Sequence, residues 1–157
     1  MTAPAIIDTN IVVAGLLTSR RDAPVAWILD GMLDAAFPFV VSEALLAEYR
    51  DVLDRPRLCR AHGLDPRERE ALLTQITRNA IVLEPRPAPP APDPGDQHLW
   101  ELLAAHDHTR LVTGDLRLVA DHAMAGRVWT ADQFADAMRR DGDAHSPRLQ
   151  EQGIAYG

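Results

Sequence analysis

Four acids of this chain fall where chemistry could use them. Asp8 closes the apolar run Ala5-Ile6-Ile7, Asp115 closes Leu111-Val112-Thr113-Gly114, and Asp96 opens a helix behind Asp93-Pro94-Gly95. Glu48 lies about one turn into the helix that follows a second apolar run, Phe39-Val40-Val41. In an open parallel sheet, strand carboxyl ends and the starts of the next helices share one edge, the edge where such sheets bind ligands. Carboxylates gathered there do not all stay ionised unaided. Two unit charges ~4 Å apart repel by about 4 kcal/mol at an effective dielectric of ~20. A cation between them removes that cost, and all-oxygen ligands favour a hard divalent ion, Mg2+ or Mn2+. Such an ion activates water, orients a phosphate and stabilises a leaving oxygen, so the expected chemistry is hydrolysis at phosphorus.

Each acid also has a structural reading. Asp8, Thr9 or Asn10 can cap a helix, and so can Asp115. Asp96 can serve a helix dipole, and so can Glu43, the rival of Glu48 near the same edge. Asp93, ahead of Pro94, reads as a cap alone. His106 and His108 flank Asp107 as a weaker candidate for a soft metal. Trp27, Trp100 and Trp129 read as core or interface rather than as base-stacking platforms. Convergence of acids from distant parts of the chain is what favours a site over separate structural roles.

The elements that must position these residues follow from pattern. Strands are expected near residues 5–7, 37–41, 80–83, 111–115 and 128–130. Helices are expected over 11–17, 23–33, 43–54, 66–78, 94–105, 116–124 and 131–140. In the second helix Val25, Ile28, Leu29 and Met32 share one face, with Gly31 weakening its end. Ser42 caps the third, whose buried stripe is Leu45, Leu46, Tyr49, Val52 and Leu53, and Arg55-Pro56 is expected to end it. Asp65-Pro66 opens the next. Six prolines between residues 85 and 94 predict a stiff extended linker inside the domain. The strand-helix alternation predicts an α/β fold: a mostly parallel sheet covered by helices. Residues 1–140 form one expected domain and 141–157 a tail.

The chain has 157 residues, 46% hydrophobic and 25% charged, the make-up of an ordinary globular domain. Its single cysteine, Cys59, excludes an internal disulfide and a cysteine-built zinc site. All 16 basic residues are arginine and the net charge is -7. That argues against holding nucleic acid by bulk positive charge. It is compatible with an enzyme whose acids hold a metal, because the ion's charge counts too. Arg20, Arg21, Arg55 and Arg57 are candidate phosphate contacts. No basic leader precedes Asp8, and no apolar run reaches the ~20 residues of a membrane span. A cytoplasmic protein with no membrane association is expected.

Four motifs in order, Ile7-Asp8-Thr9-Asn10, Ser42 to Glu48, Asp93-Pro94-Gly95-Asp96 and Val112-Thr113-Gly114-Asp115, resemble the PIN-domain family. The closest branch is the bacterial toxins of toxin-antitoxin pairs, whose closing strand and helix Val128 to Phe134 fits. The resemblance spans roughly residues 4 to 140. It implies a three-layer sandwich around a four- to five-stranded sheet, usually dimeric, and a metal-dependent ribonuclease leaving a 5′-phosphate and a 3′-hydroxyl. Carried over by motif, Asp8, Glu48, Asp96 and Asp115 are the metal-site and catalytic acids. Thr9, Asn10 and Thr113 support them or meet substrate. RNA as substrate and a cognate antitoxin protein as partner are implied as well. The rival class is a catalytically silent scaffold of the same fold that binds protein or RNA. A phosphatase or phospho-receiver is disfavoured, because it would need a lysine beside its acids and the chain has none.

Overall fold

The protein is described by a computed structural model over residues 3–141. Strand β1 (Ala5–Ile7) is buried along its whole length, as a parallel strand covered on both faces must be. In chain order follow α1 (Thr9–Leu17), α2 (Pro24–Leu33), β2 (Val40–Val41), α3 (Glu43–Leu53), α4 (Pro56–His62), α5 (Pro66–Asn79) and β3 (Ile81–Val82). A 3-10 turn (Pro94–Asp96) leads into α6 (Gln97–Leu103), then β4 (Arg110–Val112), α7 (Leu116–Val119), a second 3-10 turn (His122–Met124) and β5 (Val128–Trp129). Residues 131–141 form the helix α8.

All pairings are parallel. Ala5 lies opposite Arg110 and Ile7 opposite Val112, β4 pairs with β5, and β2 pairs with β3. A single bridge between Ala5 and Phe39 joins the two groups, giving the order β3-β2-β1-β4-β5. The chain leaves β1 towards one side of the sheet and returns through β4 to the other. Connections that travel in opposite directions with right-handed crossovers set α1–α5 on one face and α6 and α7 on the other. The gap between the carboxyl ends of β1 and β4 is therefore the switch point at which such sheets open a crevice.

Several expectations change in detail. Pro56 does not merely stop α3; it occupies the first turn of α4, where its missing N–H is harmless. Gly31 is a packing residue, since a Cβ there would lie 2.6 Å from the Phe37 ring. Helix 116–124 is broken into α7 and a 3-10 turn capped by Asp121. The proline-rich stretch is pinned along α6 rather than left as a free linker: Arg86 N–H donates to the Glu101 carbonyl at 3.0 Å, and Gln97 bonds the Ala91 N–H at 2.7 Å and the Pro89 carbonyl at 3.2 Å. The expected tail, apart from its first residue, lies outside the described residues. Among the described residues no helix is long and apolar enough to cross a membrane.

Candidate active site

Asp8 ends β1 and caps α1 with one carboxylate. Its amide continues the ladder to the Val112 carbonyl at 2.9 Å, while Oδ1 accepts from the Thr9 N–H at 2.8 Å. The cap draws α1 back to Thr9, two residues earlier than the apolar pattern suggests. The other oxygen, Oδ2, accepts from the Thr113 hydroxyl at 2.7 Å and from Asn10 Nδ2 at 3.3 Å. The structural and the chemical readings of Asp8 thus use different oxygens of the same side chain.

The loop after β4 is stitched to this one. Asn10 Oδ1 accepts from the Gly114 N–H at 3.0 Å, and Thr113 Oγ1 accepts from the Asp115 N–H at 3.0 Å. A Cβ on Gly114 would come within 3.4 Å of that Asn10 oxygen. Asp115 caps α7 through the Arg117 N–H at 2.9 Å, and the Arg117 guanidinium takes both its oxygens, Nε to Oδ1 at 3.2 Å and Nη2 to Oδ2 at 2.9 Å. Glu48 is delivered by α3. Its neighbour Tyr49, fully buried, donates its hydroxyl to the Ile7 carbonyl and locks the helix over the end of β1. Glu48 accepts from the Thr9 hydroxyl, and His98 Nε2 stands 3.7 Å from its other oxygen. Asp96 closes the 3-10 turn and heads α6. Unlike Asp8 and Asp115, it makes no capping hydrogen bond. Asp8, Glu48, Asp96 and Asp115 line one cleft of about 510 Å³, opposite an apolar wall of Val13, Ala14, Leu17 and Val52.

The charges of this cleft are unevenly met. Burial raises the Asp8 carboxyl above its ordinary value; the Thr113 hydrogen bond opposes, and the Glu48 and Asp96 charges push the same way as burial. Asp96 is raised by burial and by the acids Asp93, Asp115 and Glu48. Glu48 is lowered, first by its contact with His98, and His98 is raised by the same contact. Asp115 is lowered by Arg117. The sequence marks His98 only by its place two residues after Asp96, whereas His106 and His108, which flank an acid, lie exposed away from the cleft. Asp93 caps the 3-10 turn by accepting from the Gly95 N–H at 2.8 Å. Glu43 is exposed at the start of α3. Arg20, Arg21 and Arg55 pair with the surface acids Asp22, Asp30 and Asp51, and Arg57 is exposed. Trp100 is core, and Trp27 and Trp129 pack against the core half-buried.

The donor chemistry fits a hard divalent cation: four carboxylates on one cleft, two of them raised by burial and by neighbouring acids. The side chains are not drawn into a closed shell. Among the described residues no group of three or more His, Cys, Asp or Glu stands close enough to hold a metal as placed. Asp115 is turned to Arg117, and Glu48 to Thr9 and His98.

Compared with known families, residues 4–117 match the PIN domain, whose members are typically nucleases that use divalent metals. No curated protein matches the chain.

Proposed function

Because the chain belongs to the PIN-domain family, we propose that it is a divalent-metal-dependent endoribonuclease. The observation that carries this is the cleft at the switch point, where the raised carboxyls of Asp8 and Asp96 share space with Glu48 and Asp115. Asp8, Glu48, Asp96 and Asp115 would hold Mg2+ or Mn2+. When bound, the ion lets water ionise near neutral pH and offsets charge on the phosphate. The chain's own residues do the positioning. Thr113 fixes Asp8 Oδ2, Thr9 orients Glu48, and Asn10 holds the β4–α7 loop to the β1–α1 loop. The apolar wall lowers the dielectric beside the acids and strengthens every charge interaction there.

The finer role is the toxin of a toxin-antitoxin pair, acting on RNA in the cytoplasm, dimeric, and silenced by a cognate antitoxin protein. The resemblance of the four motifs and of the closing strand and helix to the toxin branch supports it. A catalytically silent scaffold is favoured by one observation, the absence of three gathered metal donors among the described residues. Cleavage of a mixed panel of structured RNAs separates the two, with Mg2+, with Mn2+ and with EDTA, wild type beside Asp115→Asn. The nuclease cuts with metal and stops in EDTA and in the variant. No cutting with either metal leaves the scaffold.

A further inference from the structure

Arg117 is held chiefly by Asp115, with a weaker pull from Asp93 and Asp96. Its guanidinium grips both oxygens of Asp115, yet the side chain is 69% exposed while that of Asp115 is only 23% exposed. Among the described residues it is the one arginine in an ion pair with an acid of the cleft. The guanidinium side of the pair stands in water, where salt and solvent screen it, so an ion of twice the charge can compete for the same oxygens. Among the described residues the other acids of the cleft pair with no guanidinium. Asp8 is satisfied by hydroxyl, amide and backbone donors, and Glu48 by a hydroxyl and an imidazole.

A cation that uses Asp115 must compete with this guanidinium, because both need the same oxygens. An arginine displaced from Asp115 remains tethered at the mouth of the cleft, on a flexible stem with its charge in water. A guanidinium fork matches phosphate oxygens as well as it matches a carboxylate. The chain carries a net charge of -7, so a cation at this spot is what an RNA backbone needs to approach the acids. We propose that Arg117 has two positions: on Asp115 in the ligand-free protein, and on an RNA phosphate once a divalent cation takes Asp115 over. This rests on the nuclease reading above. It makes metal and RNA bind cooperatively, each removing what opposes the other.

Two binding measurements without turnover test it, on wild type, Arg117→Gln, Arg117→Lys and Asp8→Asn. Mn2+ affinity is read from the free-ion spin-resonance signal, with no RNA present. Binding of a single-stranded RNA oligonucleotide is read by anisotropy in Ca2+ across a salt series. Arg117→Gln is expected to bind Mn2+ about five- to tenfold more tightly, the scale of an ordinary coupling. It is also expected to bind the oligonucleotide several-fold more weakly, with the slope of log affinity against log salt reduced by about one. Arg117→Lys keeps the salt slope while loosening the hold on Asp115, because lysine lacks the fork. Unchanged Mn2+ affinity or an unchanged salt slope in Arg117→Gln overturns the proposal while leaving the nuclease reading intact. Equal Mn2+ binding by wild type and Asp8→Asn instead overturns the nuclease reading, and the proposal with it.

Discussion

At the amino-terminal edge of β1 and β4, a cavity of about 560 Å³ is lined by Pro4, His106, Thr109, Arg110 and Arg127. At the opposite edge the acid cleft measures about 510 Å³. The first is slightly larger and also rich in charge, but its two arginines are engaged by the chain itself. Arg127 donates to the carbonyls of Leu103 at 2.8 Å and of Thr109 at 2.9 Å, closing the turn before β4. Arg110 lies 4.3 Å over the Trp129 ring. At the acid edge, Asp8 and Asp96 are pushed towards protonation by burial and by their neighbours. Unmet charge, not volume, distinguishes the edge that can do chemistry.

Four measurements on three variants sharpen or break that contrast. The largest effect is expected from Asp8→Asn: RNA cleavage falls by about 10²–10³-fold or more, the scale of removing one essential electrostatic group, while circular dichroism stays native. Near-native cleavage would remove the acid edge from the mechanism. Next is Arg127→Met at the other edge. Several carbonyls lose a charged donor, so stability drops by about 1–3 kcal/mol in denaturant melts, and cleavage per folded molecule is unchanged. A loss of cleavage without a loss of stability would erase the distinction between the edges.

The third is thermal and runs opposite to the first. The folded Asp8 carboxyl titrates above its ordinary value of 3.8, so the fold binds that proton more tightly than the unfolded chain does. Its charged form therefore opposes folding at neutral pH, and the penalty disappears as pH falls through the raised value. In EDTA, Asp8→Asn should melt a few degrees above wild type at pH 7, and the gap should close towards pH 4. A variant that melts lower at pH 7 would mean that the hydrogen bonds Oδ2 accepts from Thr113 and Asn10 outweigh the cost of the charge. The smallest effect is expected for Asp93→Ala, which loses the Gly95 cap. It should cost about 1 kcal/mol and leave cleavage within a few-fold of wild type.

Much of this arrangement is legible in the sequence because it is local. An acid after a short apolar run marks a strand end, and Ser42 and Asp65-Pro66 announce their helices through capping chemistry. What escapes is what depends on partners far along the chain. Pro56 reads equally as the end of one helix or the first turn of the next, and only packing decides. The proline-rich stretch looks like a linker until Gln97 is seen holding it. Arg117 is two residues from Asp115, yet no spacing rule says that its guanidinium folds back onto that carboxylate. His98 meets Glu48 only because α3 and α6 converge at the same strand end.

The pairing of β1 with β4 also fixes when the site can exist. The Thr113 hydroxyl that holds Asp8 comes from 105 residues further on. A ribosome makes an N-terminal segment first, and parallel strands so distant in sequence pair late. Every nascent chain that stops short of β4 carries Asp8 and Glu48 without Thr113 or Asp115. The four acids therefore come to line one cleft only when the sheet is nearly complete.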